Sequence, residues 1–180
     1  MMKPLLFFTL LTLVAGCASV APSVRRSATA EASEAPVWTE NLRSGSVKNS
    51  YRVTLQTPEN RITGLCILKK SGEEWRGTLV NEMGAKAFDF VVKGDRCELL
   101  NVLPAMDKWY VKKTVAADLY FLFSVDSPGA TFRRRTERFV QDGSLVVNYR
   151  KKQLLVTPDG AVRLTNSRRN LRYELRVIND

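Results

Sequence analysis

Between Arg61 and Leu103 the chain offers four strand-like stretches with no room between them for a crossover. They are 61–69 (RITGLCILK), 75–81 (WRGTLVN), 86–92 (KAFDFVV) and 96–103 (RCELLNVL), separated by three to five residues. Parallel neighbours need a connection of a dozen or more residues, whereas antiparallel ones need only a turn. The intervening segments have turn character: Lys70-Ser71-Gly72-Glu73, Glu82-Met83-Gly84-Ala85 and Lys93-Gly94-Asp95. The sequence therefore predicts an antiparallel meander. Side chains alternate along a strand, so Trp75, Gly77 and Leu79 share a face, as do Phe88, Phe90 and Val92, with Asp89 on the other side. The first stretch is apolar on both faces.

The pattern changes at Pro104, a residue suited to the first turn of a helix. Met106, Trp109, Ala116, Leu119, Tyr120 and Phe123 recur at three- and four-residue spacing, with Lys108, Lys112 and Lys113 opposite. This predicts one amphipathic helix over about 105–123. Ser127-Pro128-Gly129 ends it. Strand signals resume at 131–140, 144–150, 153–157, 161–166 and 171–177, with turns at Gln141-Asp142-Gly143 and Pro158-Asp159-Gly160. With 50–56 ahead of the meander, about nine or ten strands accompany one helix; 37–42 reads as a short helix or strand. The expected class is mainly β (α+β): a strongly curved antiparallel sheet, an unclosed barrel covered by one long helix. Trp75, Leu79, Phe88, Phe90, Trp109, Leu119, Tyr120 and Phe123 are expected where helix meets sheet. That space is either a filled core or an apolar cleft suited to an acyl chain.

The N-terminus sets the compartment. Lys3 precedes an apolar run from Leu5 to Val14, followed by Val14-Ala15-Gly16-Cys17. A basic start, a short apolar segment and small residues before a cut site make a secretory leader over 1–16. The run is too short to span a bilayer, which takes about 20 apolar residues. A cysteine placed directly after the small residues resembles the lipobox of bacterial lipoproteins. That resemblance implies cleavage before Cys17 and acylation of its sulfur and amine, an anchor of more than one chain and therefore a stable one. Residues 17–36 then form the acylated cysteine and a flexible tether, poor in large side chains and reaching roughly 20–25 Å. Residues 37–180 form a single domain. Ala18 and Ser19 carry no acidic mark after the cysteine, so the expected location is the outer membrane, on its periplasmic face.

Composition narrows the chemistry. Histidine is absent, which removes the usual general base, the Ser-His and Cys-His pairs and the commonest metal ligand. Asp89, Asp118 and Glu174 are isolated carboxylates, and Ser71 and Ser144 have no activating partner. No phosphate loop or metal-spaced cluster occurs, so no catalytic residue, metal or cofactor is expected. Once Lys3 is removed with the leader, 27 of the 28 basic residues face 18 acidic ones. The excess lies late, at Arg133-Arg134-Arg135, Arg150-Lys151-Lys152 and Arg168-Arg169. An exported lipoprotein meets little nucleic acid, so the partners suggested are anionic head groups or simply water. If Arg133, Arg134 and Arg135 lie on a strand, at most two share a face. Cys66 and Cys97 are read as buried free thiols, a bridge being the alternative in an oxidising compartment.

This order of a lipobox, tether, meander, long helix and second run of strands resembles the Lol-type fold of the periplasmic lipoprotein carrier and the outer-membrane lipoprotein receptor. The closest local likeness covers 64–100. Within it, Leu79-Val80-Asn81-Glu82-Met83-Gly84 resembles a loop in the receptor where a protruding leucine before a glycine enters the membrane; Met83 holds that position here. The chain departs from the receptor in lacking its tryptophan-rich second half: Trp38, Trp75 and Trp109 are the only tryptophans. The resemblance implies a monomeric domain that binds lipid or lipoprotein acyl chains under a helical lid, for transfer or insertion. The competing expectation is an assembly lipoprotein that holds another envelope protein by a sheet edge or a basic face.

Overall fold

The computed structural model describes residues 48–127 and 129–178. The expected leader, Cys17, the tether and the 37–42 element lie outside them. Among the described residues, ten strands form one antiparallel sheet, mainly β with a single α-helix, as the alternation predicts. They are β1 (Lys48–Gln56), β2 (Arg61–Ser71), β3 (Glu74–Asn81), β4 (Lys86–Lys93), β5 (Arg96–Leu100), β6 (Glu137–Gln141), β7 (Ser144–Tyr149), β8 (Lys152–Val156), β9 (Val162–Asn166) and β10 (Leu171–Val177). The helix α1 (Trp109–Ser124) lies between β5 and β6 in sequence. The spatial order is β5-β4-β3-β2-β1-β10-β9-β8-β7-β6, so the sheet is unclosed, with β5 and β6 as its edges. Two five-strand meanders meet at the β1–β10 pair, where Tyr51 is opposite Val177 and Gln56 opposite Arg172.

The up-and-down path sorts the connections onto two ends. At one lie the β1–β2, β3–β4, β7–β8 and β9–β10 turns, the exit from β5 and the approach to β6. At the other lie the start of β1, the end of β10 and the β2–β3, β4–β5, β6–β7 and β8–β9 turns.

One face of the sheet is apolar: Tyr51, Val53, Leu55, Cys66, Leu68, Trp75, Phe88, Phe90 and Val92 from the first half, and Leu145, Val147, Leu154, Val156, Leu164, Tyr173 and Leu175 from the second. The helix covers it with Val115, Leu119, Phe121, Leu122 and Phe123. Phe123 stacks on Trp75 and Phe90, with ring centroids 6.2 and 5.5 Å apart. Gly77 on β3 is opposite Phe90 on β4, and a Cβ at Gly77 would lie 2.1 Å from the Phe90 ring. The missing side chain is therefore what lets that ring lie flat under the helix.

Two sequence expectations need correction. The helix begins at Trp109, not near 105, because Pro104–Met106 forms a separate 3-10 turn. Segment 131–140 is a strand only from Glu137; Arg133–Arg135 forms another 3-10 turn, so the alternating-face rule does not apply and all three arginines are exposed. The reading of Cys66 and Cys97 as free thiols holds, although Cys97 is only half-buried, and a bridge between them is excluded. Cys66 is on β2 and Cys97 on β5, with β3 and β4 between them. Three strand spacings come to roughly 14 Å, twice what a disulfide spans, and both thiols are free.

Candidate functional site

The expected lipid cleft is the seam between α1 and the sheet. Trp75, Phe88, Phe90, Leu119 and Phe123 are all buried there, and the half-buried Leu79 packs against them. The space that Leu79, Phe88, Phe90, Leu119 and Phe123 enclose with Val53, Leu55, Cys66, Leu122, Tyr173 and Leu175, with Trp75 outside its lining, is only about 30 Å³. Ligand pockets run to about 300–1,000 Å³, so in this conformation the seam is packed core. Burial in the seam pushes the Cys66 thiol up to about 12.

Two of the expected cavity residues are elsewhere. Trp109 is 73% exposed and makes only an edge-to-face contact with its neighbour Tyr110. At 3.6 residues per turn it lies roughly 120° round the helix from the buried Val115. Tyr120 packs edge-on against Phe132, 5.4 Å between centroids, and its buried hydroxyl has no hydrogen-bond partner among the described residues.

Met83 stands where the sequence places it. The β3–β4 turn is fixed by Asn81, whose side-chain oxygen accepts the backbone N–H of Met83 (3.0 Å) and of Ala85 (2.8 Å). Gly84 takes φ of +78°, a conformation that favours glycine. A shift of register between Leu79 and Val80 bends the hairpin just before its crest. The Met83 side chain is 93% exposed.

The polar centre of the fold is one the sequence reading left as an isolated carboxylate. Asp118 is fully buried on the inner side of α1. It forms an ion pair with Lys152 on β8 (2.7 Å), accepts both Asn166 Nδ2 contacts (2.9 and 3.0 Å) and accepts the Tyr173 hydroxyl (3.0 Å). Lys152 also donates to the Ala117 carbonyl at 2.7 Å. Burial, then the charge of Asp118 and its hydrogen bond, pushes the Tyr173 hydroxyl well above its usual range. The network ties the helix to β8, β9 and β10. The signal for it was a lone carboxylate within the apolar run 115–123.

On the opposite face of the sheet, an open groove of about 400 Å³ runs over Ile67, Lys69, Arg76, Asp89, Val91 and Leu100. Asp89 lies on its floor, receiving Thr78 (2.7 Å), Lys86 (2.9 Å) and Asn101 (2.7 Å). Partial burial works against its charge, but those three donors hold it below the usual carboxylate range. Its partners are filled, so it is poorly placed to act as a base. At the far edge, every residue of β6 is exposed, Phe139 and Val140 included. No group of three or more metal-ligating side chains occurs among the described residues, and none of their helices is long and apolar enough to cross a membrane. No family model matches the chain, and a search of curated proteins returns no match.

Proposed function

We propose that this chain is an outer-membrane-anchored periplasmic lipoprotein that works at a lipid surface, engaging acyl chains of lipids or lipoproteins for transfer or insertion. The observation that carries the reading is Met83, an apolar side chain held outward on a rigid turn at 93% exposure. Such a crest fits a bilayer interface and has no packing role in the domain. The seam lined by Leu79, Phe88, Phe90, Leu119 and Phe123 is apolar enough for an acyl chain. Because it holds only about 30 Å³, entry requires α1 to lift away from the sheet. The buried Asp118–Lys152 pair is what such a movement must break.

The test uses the chain from residue 17 on with Cys17→Ser, which keeps every element of the fold without an acyl group. Met83→Glu is expected to leave the melting temperature unchanged and to reduce both association with phosphatidylcholine vesicles and uptake of a fluorescent fatty acid. Loss of the fold in that variant, or a domain that takes up no acyl probe, would overturn it. A second reading, capture of an envelope protein, is favoured by one specific observation. The β6 edge is open, carries Phe139 and Val140, and can accept an added strand.

A further inference from the structure

Three basic runs far apart in sequence come together at one end of the sheet. The Arg133–Arg135 turn leads into β6; Arg150 and Lys151 form the β7–β8 turn; Arg168 and Arg169 lie in the β9–β10 turn. These are neighbours by direct contact. Phe132, just before the arginine turn, packs on Tyr149 with centroids 5.4 Å apart. Tyr149 in turn lies under the Arg150 guanidinium, 5.3 Å from the ring centroid. The Ser167 N–H donates to the Lys151 carbonyl at 2.9 Å, stitching the two turns together. The seven cations span β6 to β10, a width of roughly 20 Å at the usual strand spacing. All are exposed, and none forms an ion pair among the described residues. Glu137 is the acid nearest to them in sequence.

The opposite end mixes its signs. Its four turns carry Glu73, Asp95, Asp142 and Asp159, and the strand ends beside them carry Lys70, Lys93 and Arg96. The seven cations are confined to the β6–β10 half of their end, while the β1–β2 and β3–β4 turns of the other half carry Glu59 and Glu82; a run of seven like charges is more than solubility requires, which interspersed signs serve equally well.

We propose that the basic end binds the phosphates of anionic phospholipid head groups. This rests on the reading of the chain as a lipid-surface protein. The Met83 crest lies at the same end of the sheet, in its other half, so cations and an apolar anchor face one way, a combination that suits a lipid interface. A nucleic acid would use the cations but not the methionine.

The experiment is vesicle co-sedimentation of the chain from residue 17 on with Cys17→Ser, using phosphatidylglycerol–phosphatidylcholine vesicles and phosphatidylcholine alone. Binding is expected to be stronger on the anionic vesicles and to fall toward the phosphatidylcholine level at about 1 M salt, where the screening length is ~3 Å. Changing Arg150, Lys151, Arg168 and Arg169 together to Gln is expected to cost roughly tenfold or more in partitioning to the anionic vesicles. The separate Arg133→Gln, Arg134→Gln, Arg135→Gln triple should act in the same direction, guarding against misfolding of the first variant. A control with Asp142→Asn and Asp159→Asn should not weaken binding. Equal binding to both vesicle types, or full binding by both variants, would overturn the proposal; so would preference for duplex DNA or an acidic protein over anionic vesicles at equal salt. Failure of acyl-probe uptake alone would sink the transfer reading and leave this one standing.

Discussion

Lys152 Nζ lies 2.7 Å from Asp118 Oδ1, and the two belong to elements that share no other ion pair among the described residues. The carboxylate is fully buried while the lysine keeps a 16% exposed side chain. Removing one partner strands the other. Lys152→Met is therefore expected to cost about 3 kcal/mol, measured by urea unfolding. The double change Asp118→Leu, Lys152→Met should recover much of that, because no buried charge is left unpaired. A double variant no better than the single would mean the pair stabilises the fold outright.

Gly77 and Phe90 share one space. Gly77→Ala places a methyl 2.1 Å from a ring that is 1% exposed, and the ring must move. The expected loss is about 1–3 kcal/mol. Phe90→Leu in the same chain should cost less than the sum of the two single changes, because the shorter side chain vacates that position. Strict additivity in chemical denaturation would show that the clash is relieved elsewhere.

Trp109 and Leu122 form a contrast on one helix. Trp109→Ala is expected to change stability by no more than about 0.5 kcal/mol, as for an exposed side chain. Leu122, at 0% exposure, should cost about 2–5 kcal/mol when cut to alanine. Melting curves of the two variants decide it, and equal losses would mean that Trp109 is buried in solution.

Four groups predict the alkaline limit. Burial pushes Cys66 up to about 12, and burial with the charge of Glu98 does the same for Cys97. Tyr51, by burial and then Cys66, and Tyr173, by burial and then Asp118, are also raised. Each folded-state value lies above its unfolded one, so their contribution is full at neutral pH. It is lost as pH rises past about 8.5 for the thiols and about 10 for the phenols. The urea midpoint should fall between pH 8 and 10. In the Cys17→Ser chain at pH 8, iodoacetamide should modify neither thiol until denaturant is added.

The strands were legible because short turns leave no alternative to antiparallel pairing and because Phe88, Phe90 and Val92 can face only one way at once. The helix was legible as an element but not in its phase. Trp109, Ala116, Tyr120 and Phe123 make one plausible stripe; Val111, Val115, Asp118 and Leu122 make another. The last turn is buried on all sides, from Phe121 to Val125, and is compatible with both. The second stripe wins because Asp118 must reach Lys152, Asn166 and Tyr173, residues 34 to 55 positions away that no local pattern reveals. For the same reason the basic runs read as scattered: what unites Arg135, Lys151 and Arg168 is strand order, which alternation along a single strand does not encode.

The β1–β10 pair gives the chain a circular layout. The first and last strands meet in the middle of the sheet, where the Ile178 N–H donates to the Ser50 carbonyl at 3.0 Å. Each half, β1 to β5 and β6 to β10, is made of sequence-local hairpins that can form early. The seam between them joins residues more than a hundred positions apart and brings a late, slow step. Loss of the last strand would thus split the sheet rather than trim it. Conversely, a permuted chain that links Ile178 to Lys48 and opens between α1 and β6 keeps every strand pair, turns the slowest contact into a local one and should fold faster than the natural order.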